Sequence, residues 1–508
     1  MLEPCSRRRR DALSRGAGRT GAIGRSQGAK PRIPESLMRI HFTGIAGAGM
    51  AAAALMMREA GHHISGSDQD VFPPMSTYVA GLGFPVFLTC DAAHLPADLD
   101  LLVLGASAKL GGEDNPEVQA ARARGVRVTT FPELVGEATA GRRNTVVAGS
   151  FGKSTCTALT AHILRQAGHD AGWMIGAISP SLPATGHWGA APEVVLEGDE
   201  YIVGPADHRS KFVLYHPRDV LLTSLIHDHV NVFPTFEDYV APFVDLLGLL
   251  PPDGLLVARE HPAIRAIVGA AASRIVWYDT APCDGWYAEG VVFGETTRFT
   301  LVGPGGRRLA LATTLLGEHN VENIVGVAAY LLERGLVSEV DLARGVESFA
   351  GIRRRLDRLT RRSAVPVIEG FGSSYEKARS AIEAMLLHYP HRPLTVVFEP
   401  HTFSWRSRDA LSWYDTVFEG AARVLVVPPP HHGEASHNQS GFGEILDRVR
   451  ATGIPVEGVE TAEAATAALG RLSGGEVVLL LSSGPLLGLP DSLPPVFDTL
   501  YGAREAAE

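Results

Sequence analysis

Cysteine is scarce in this 508-residue chain: Cys5, Cys90, Cys156 and Cys283 are its four, far apart and without CxxC or Cys/His spacing. That scarcity excludes a disulfide framework or a zinc ribbon and fits a reducing compartment. Long apolar runs are also missing, so no segment reads as a membrane span, and a cytoplasmic protein without a membrane partner is expected. A net basic charge is lacking from most of the chain. Residues 1–37 hold nine Lys/Arg against three Asp/Glu, so a net charge of −10 conceals +6 in this stretch and −16 in the rest. A body so acidic offers no face for nucleic acid. The basic stretch has no amphipathic period and reads as a disordered extension ahead of Met38; a nucleic-acid arm or a targeting peptide are the alternatives.

What is present is apolar residues at 45% and 55 glycines, the balance of a Gly-rich α/β enzyme. The length exceeds what one core supports, which predicts several domains. Three blocks alternate strand and helix. The first has strands at 39–43, 63–65, 101–104 and 126–129, and a helix from Met50 to Ala60. The second has strands at 144–148, 193–196 and 219–222, and a helix over 237–249. The third has strands at 394–398, 423–427 and 476–481. Such alternation predicts parallel sheets. The expected divisions are 1–37 extension, 38–138, 139–350 and 351–508.

The central motif is Gly149-Ser150-Phe151-Gly152-Lys153-Ser154-Thr155, between the strand Thr145-Val-Val-Ala148 and a helix with apolar Cys156, Leu159, Ile163, Leu164 and Ala167. Gly149 and Gly152 let backbone N–H groups turn toward an anion at a helix N-terminus. Lys153 neutralises phosphate charge, and Ser154 or Thr155 can place a hydroxyl on Mg²⁺. Val147 stands where the longer GxxxxGK[ST] pattern needs Gly, so this is the shorter GxxGK[ST] form. A nucleoside triphosphate is the expected ligand.

Other candidates are weaker alone. The loop Gly44-Ile-Ala46-Gly47-Ala-Gly49 opens a helix after a strand, with Asp68 about twenty residues on; it reads as a nucleotide-phosphate site or as a tight packing turn. Glu197, Asp199 and Glu200, and Asp228 with His229, follow strand ends and are plausible Mg²⁺ ligands. His208, His216, His227 and His229 fit no zinc spacing. Asn320, in Gly317-Glu-His-Asn320-Val-Glu-Asn323, reads as a helix N-cap, and Arg353-Arg354-Arg355 as a phosphate clamp or a domain surface.

In this order the motifs resemble the Mur ligase family, over about residues 38–490. Within it, Gly66-Ser-Asp-Gln-Asp-Val-Phe-Pro-Pro-Met-Ser-Thr77 and Asp207-His-Arg-Ser-Lys-Phe-Val-Leu-Tyr-His-Pro-Arg218 are most similar to the murein peptide ligase branch. The resemblance implies an α/β fold of three domains: Rossmann-like, P-loop ATPase and Rossmann-like. It also implies an ATP- and Mg²⁺-dependent amide-forming ligase of cell-wall peptide recycling, which joins L-alanyl-γ-D-glutamyl-meso-diaminopimelate to UDP-N-acetylmuramate through an acyl phosphate. The alternatives are ligation of L-alanine to the same acceptor, or a related nucleotide-binding protein with altered or lost activity.

By the same resemblance, Gly44, Ala46, Gly47, Gly49, Ser67, Asp68 and Arg209 serve the UDP-linked substrate. Gly149, Ser150, Gly152, Lys153, Ser154, Thr155, His319, Asn320, Asn323 and Arg355 serve ATP; Lys153, Glu197 and His229 are catalytic; and Ser154, Glu197 and His229 hold Mg²⁺. The chain departs from the family pattern at Ser150-Phe151, where Thr-His is usual, and at Thr223-Ser224, where Asn-Asn is usual. In the third block, Gly370 and Ser373-Ser374 replace an Asp and two His.

Overall fold

The computed structural model describes residues 37–69, 75–105, 114–204, 207–229, 232–430 and 438–502. Residues 1–36 of the extension read over 1–37, and the stretch 70–74 of the Gly66–Thr77 segment, lie outside them. Three main sheets occupy successive parts of the chain. The first is parallel, in the order Val86–Phe87, His63–Ser67, Arg39–Thr43, Leu101–Leu104, Arg127–Thr130. The third runs Asp357–Arg358, Val367–Gly370, Val477–Leu481, Leu394–Phe398, Arg423–Val426, Val456–Gly458, parallel apart from its first pair.

The second sheet has ten strands: Arg307–Thr313, Thr297–Gly303, Gly285–Val292, Arg274–Asp279, Leu255–Arg259, Asp219–Leu222, Arg143–Ala148, Glu193–Glu197, Gly172–Met174 and Gly186–His187. Arg143–Ala148 lies inside it, parallel to Asp219–Leu222 on one side and to Glu193–Glu197 on the other. Residues 144–148 of this strand are buried, and its apolar end Val146-Val147-Ala148 suits a parallel strand that helices cover on both sides. The antiparallel strands 285–313 are an addition that the strand-helix alternation did not foreshadow.

Most expected elements form, with ends moved by a residue or two. The first helix is Ala48–Glu59. The strand expected to end at residue 65 continues to Ser67, because Gly66 and Ser67 pair with Val86 and Phe87. One expectation fails: Asn320 is not an N-cap. The helix Glu318–Glu333 starts after Gly317, whose φ of 93° suits glycine. Asn320 lies within its first turn, buried, and its amide donates to the Leu316 carbonyl at 2.8 Å.

The first two sheets share one hydrophobic core, in which Ile40, Phe42, Leu101 and Leu134 pack in a cluster with Val146, Ala148, Leu196 and Leu222. Two glycines make that junction close. A Cβ at Gly186 would stand 2.0 Å from the Ala52 carbonyl oxygen, and one at Gly136 would stand 2.0 Å from that of Leu214. The third sheet joins through backbone and hydroxyl bonds, Arg353 N–H to the Ile178 carbonyl at 2.9 Å and Ser179 hydroxyl to the Gly351 carbonyl at 2.7 Å.

Candidate functional site

The Gly149–Thr155 loop leaves the C-terminal end of the Arg143–Ala148 strand and enters the helix Lys153–Gln166. Gly149 (φ 136°) and Gly152 (φ 83°) hold conformations in which a side chain would be strained, and there is no room for one. A Cβ at Gly149 would meet Thr223 Oγ1 at 2.3 Å, and one at Gly152 would meet Asn323 Oδ1 at 2.5 Å. The loop is braced from behind by the residues that replace the usual Asn-Asn. Ser224 Oγ accepts from the Phe151 N–H at 2.8 Å, and Thr223 Oγ1 donates to the Phe151 carbonyl at 2.5 Å. Ser150 is tied at 2.7 and 2.8 Å to the Ile226 carbonyl and N–H, and receives the Tyr239 hydroxyl at 2.9 Å. Thr223-Ser224 is therefore a working substitution in the loop's support.

Lys153 folds back over the loop, donating to the Gly149 carbonyl at 2.6 Å and pairing with Glu200 Oε2 at 2.8 Å. Glu200, with 1% of its side chain exposed, is the hub here; His229 Nε2 stands 3.5 Å from its other oxygen. That hydrogen-bonding partner raises the His229 imidazole above its ordinary value of 6.5 against the effect of burial. His229 also has φ 53°, a conformation uncommon for a non-glycine residue, which fixes where its ring points. Sequence reasoning noticed Glu200 only as one of three acids after a strand; its burial against Lys153 is the signal that sets it apart.

Ser154 donates to Glu197 Oε1 at 2.7 Å, and the Gly176 N–H donates to Oε2 at 2.7 Å. Hydroxyl and carboxylate together are hard oxygen donors of the kind Mg²⁺ takes alongside phosphate and water, so these residues fit that ion. Among the described residues no group of three or more His, Cys, Asp or Glu forms a metal cluster. Of the expected trio, Ser154 and Glu197 are bonded to each other and the His229 ring is turned to Glu200.

Asn323 lies against Gly152, and its amide donates to Asn320 Oδ1 at 3.1 Å. His319 keeps much of its ring surface open yet sits among crowding protein; desolvation, with His388 and Arg355 nearby, lowers its imidazole. Arg355, in the segment leading into the third sheet, acts electrostatically on His319 at the start of the Glu318–Glu333 helix. In the third sheet, Ser374 caps the helix Tyr375–His388, accepting from Lys377 N–H at 3.4 Å. Gly370 is buried under Leu481, leaving little space for an aspartate, and the exposed Phe371 ring receives Arg354 and Lys377 at 5.4 and 5.8 Å.

The Gly44–Gly49 loop is a second, separate centre. Gly44 and Ile45 N–H donate to the Ser67 carbonyl at 2.8 and 3.1 Å, and Ala46 N–H donates to Asp68 Oδ2 at 2.7 Å. Beneath it lies Glu117, fully buried, accepting from Ser67 Oγ at 2.6 Å and Thr43 Oγ1 at 2.7 Å, with His41 Nε2 at 3.5 Å. Burial pushes the Glu117 carboxyl up, but these donors outweigh it and hold it below the ordinary range. Arg209 is not presented singly: Asp207 engages it at 2.6 Å, with Glu133 at 3.7 Å.

Residues 39–143 match the Mur ligase family, catalytic domain, and residues 147–331 the Mur ligase middle domain. UDP-N-acetylmuramate–L-alanine ligase of Halorhodospira halophila is 30% identical over 466 residues, covering 90% of this chain and 93% of that one. UDP-N-acetylmuramate–L-alanyl-γ-D-glutamyl-meso-2,6-diaminoheptandioate ligase of Haemophilus influenzae is 27% identical, covering 69% and 76%. The crystal structure of UDP-N-acetylmuramate-alanine ligase from Thermotoga maritima superposes with a TM-score of 0.73 at 21% identity, over 91% of this chain and 99% of that one, and shares its three-domain architecture.

Proposed function

Because the chain belongs to the Mur ligase family of ATP-dependent amide ligases, we propose that it joins a peptide, L-alanyl-γ-D-glutamyl-meso-diaminopimelate, to UDP-N-acetylmuramate. The observation that carries ligase chemistry is the loop in which Lys153 is held by Glu200 while Ser154 is held by Glu197. The peptide as amine rests on the Gly66–Thr77 and Asp207–Arg218 stretches and on the Haemophilus influenzae relative. L-Alanine as amine is the second reading, favoured by the Halorhodospira halophila relative. The working divisions are 38–138 for the UDP-linked substrate, 139–350 for ATP and 351–508 for the third unit.

In this reading the muramyl carboxylate oxygen attacks the γ-phosphorus of ATP and ADP leaves. The amine nitrogen then attacks the acyl carbon, loses a proton and expels phosphate. Lys153 would offset charge growing on the transferring phosphoryl group, and the Gly149–Gly152 backbone would cradle the phosphates. Mg²⁺, held through Ser154 and Glu197, would supply further neutralisation of phosphate charge. His319, Asn320, Asn323 and Arg355 would border the nucleotide. The Gly44 loop, with Ala46, Gly47, Gly49, Ser67 and Asp68, would receive the diphosphate at the N-terminus of the Ala48–Glu59 helix. Arg209 would meet the substrate from its pairing with Asp207.

The test is phosphate release from ATP and Mg²⁺ with UDP-N-acetylmuramate and a panel of amines. Release with the tripeptide supports the first reading, and release with L-alanine alone moves the chain to the second. No stimulation by any pair overturns both.

A further inference from the structure

Lys211 is a buried lysine to which the chemistry above gives no part. Its side chain is 9% exposed, and its ammonium meets Asp199 Oδ2 at 2.5 Å. The same ammonium lies over two rings, Tyr201 at 5.4 Å and Phe131 at 5.9 Å. Phe131 belongs to the first unit and is the ring on which Gly49 packs, since a Cβ at Gly49 would stand 3.1 Å from it. Asp199 precedes Glu200, the partner of Lys153. Lys211 is therefore on a line of contacts that runs from the Gly44–Gly49 loop through Phe131 to the acidic turn beside the Lys153 loop.

That turn has a charge problem. Glu197, Asp199 and Glu200 are crowded within four positions, where the first substrate must bring a carboxylate of its own. Glu200 is matched by Lys153 and Glu197 is tied by Ser154 and the Gly176 N–H. Asp199 remains, with two-fifths of its side-chain area open, one oxygen taken by the Tyr201 N–H at 3.0 Å and the other by Lys211. A carboxylate beside an uncompensated Asp199 would be repelled.

We propose that Lys211 is a positioning residue for the anionic end of the UDP-linked substrate: by cancelling the charge of Asp199 it lets a carboxylate lie between the Gly44 loop and the Lys153 loop. The inference rests on the proposed function, and its test separates the two. Binding of UDP-N-acetylmuramate to the full chain is measured by calorimetry without ATP, with ATP binding measured in parallel.

Lys211→Met is expected to weaken UDP-N-acetylmuramate about tenfold or more while ATP binding changes little, and Lys211→Arg is expected to retain most of the affinity. The deciding variant is Lys211→Met with Asp199→Asn, which removes both charges; it should recover most of the loss, as a charge-balancing pair requires. A double variant as weak as Lys211→Met, or a Lys211→Met that binds like the parent, overturns the inference and leaves the proposed function standing. A parent chain that binds ATP but not UDP-N-acetylmuramate overturns both.

Discussion

Lys153 Nζ and Glu200 Oε2 meet at 2.8 Å, and Glu200 is almost completely buried where it does so. A buried carboxylate that is held by Lys153, His229 and the Tyr239 hydroxyl at 3.4 Å sets the lysine's rest position over the loop. If Lys153 acts on the transferring phosphoryl group, Lys153→Ala lowers kcat by about 10²–10³-fold. Glu200→Gln, which keeps the shape and removes the anchoring charge, lowers it by about 10–100-fold, as loss of an orienting partner does. Steady-state phosphate release measures both; kcat within twofold of the parent in Lys153→Ala refutes the assignment.

Gly152→Ala tests the phosphate cradle. The new Cβ meets Asn323 Oδ1 at 2.5 Å on a backbone with φ 83°. The left-handed conformation alone costs a non-glycine residue about 1–2 kcal/mol. A lowered melting temperature and weakened ATP binding are expected together, and a variant that melts and binds like the parent would show that the loop is slack.

Glu117→Ala removes the acceptor shared by Ser67, Thr43 and His41 in a fully buried setting. Breaking one side of such a network costs about 3 kcal/mol. Urea unfolding followed by fluorescence reads the loss directly, and a change below about 1 kcal/mol would mean that the cluster relaxes around the gap.

His187 gives a prediction about pH. Its Nδ1 meets Glu59 Oε2 at 2.6 Å and its Nε2 meets Asp170 Oδ1 at 2.7 Å, so its imidazole joins the end of the Ala48–Glu59 helix to the second unit. The Trp173 ring lies 4.3 Å away, and Arg142 acts on Asp170 from the side. Glu59, above all, raises the imidazole over its ordinary 6.5. A raised folded value means that the stabilisation is complete below 6.5 and lost as pH climbs through the folded value. Asp170 is lowered chiefly by His187, and Glu59 is also lowered, its donors outweighing burial; their share is lost as pH falls through their depressed values. Melting temperatures should therefore fall for the parent from pH 6.5 to 8.5 more than for His187→Gln. Parallel curves would exclude this role for His187.

The strands Asp219–Leu222 and Leu394–Phe398 were legible to the residue, because each is a short apolar run with turn chemistry at both ends. The Gly149–Thr155 loop was legible for a similar reason: glycine spacing, a lysine and a preceding strand are local properties that one stretch of chain carries whole. The N-cap expected at Asn320 does not form: Asn is a good local cap, but the helix start is decided by Gly317, whose N–H is held by His388 Nε2 at 2.7 Å from the third unit.

By itself the amino-acid sequence determined the alternation of strand and helix, the phosphate-loop motif and the family, all of which depend on neighbours along the chain. Only the tertiary structure decided that Glu200 rather than Glu197 holds Lys153, that Thr223-Ser224 braces the loop in place of Asn-Asn, and that Lys211 sits against both Phe131 and Asp199. Those pairings join residues up to about 80 positions apart, and their strength comes from burial, which folding creates and no single segment possesses.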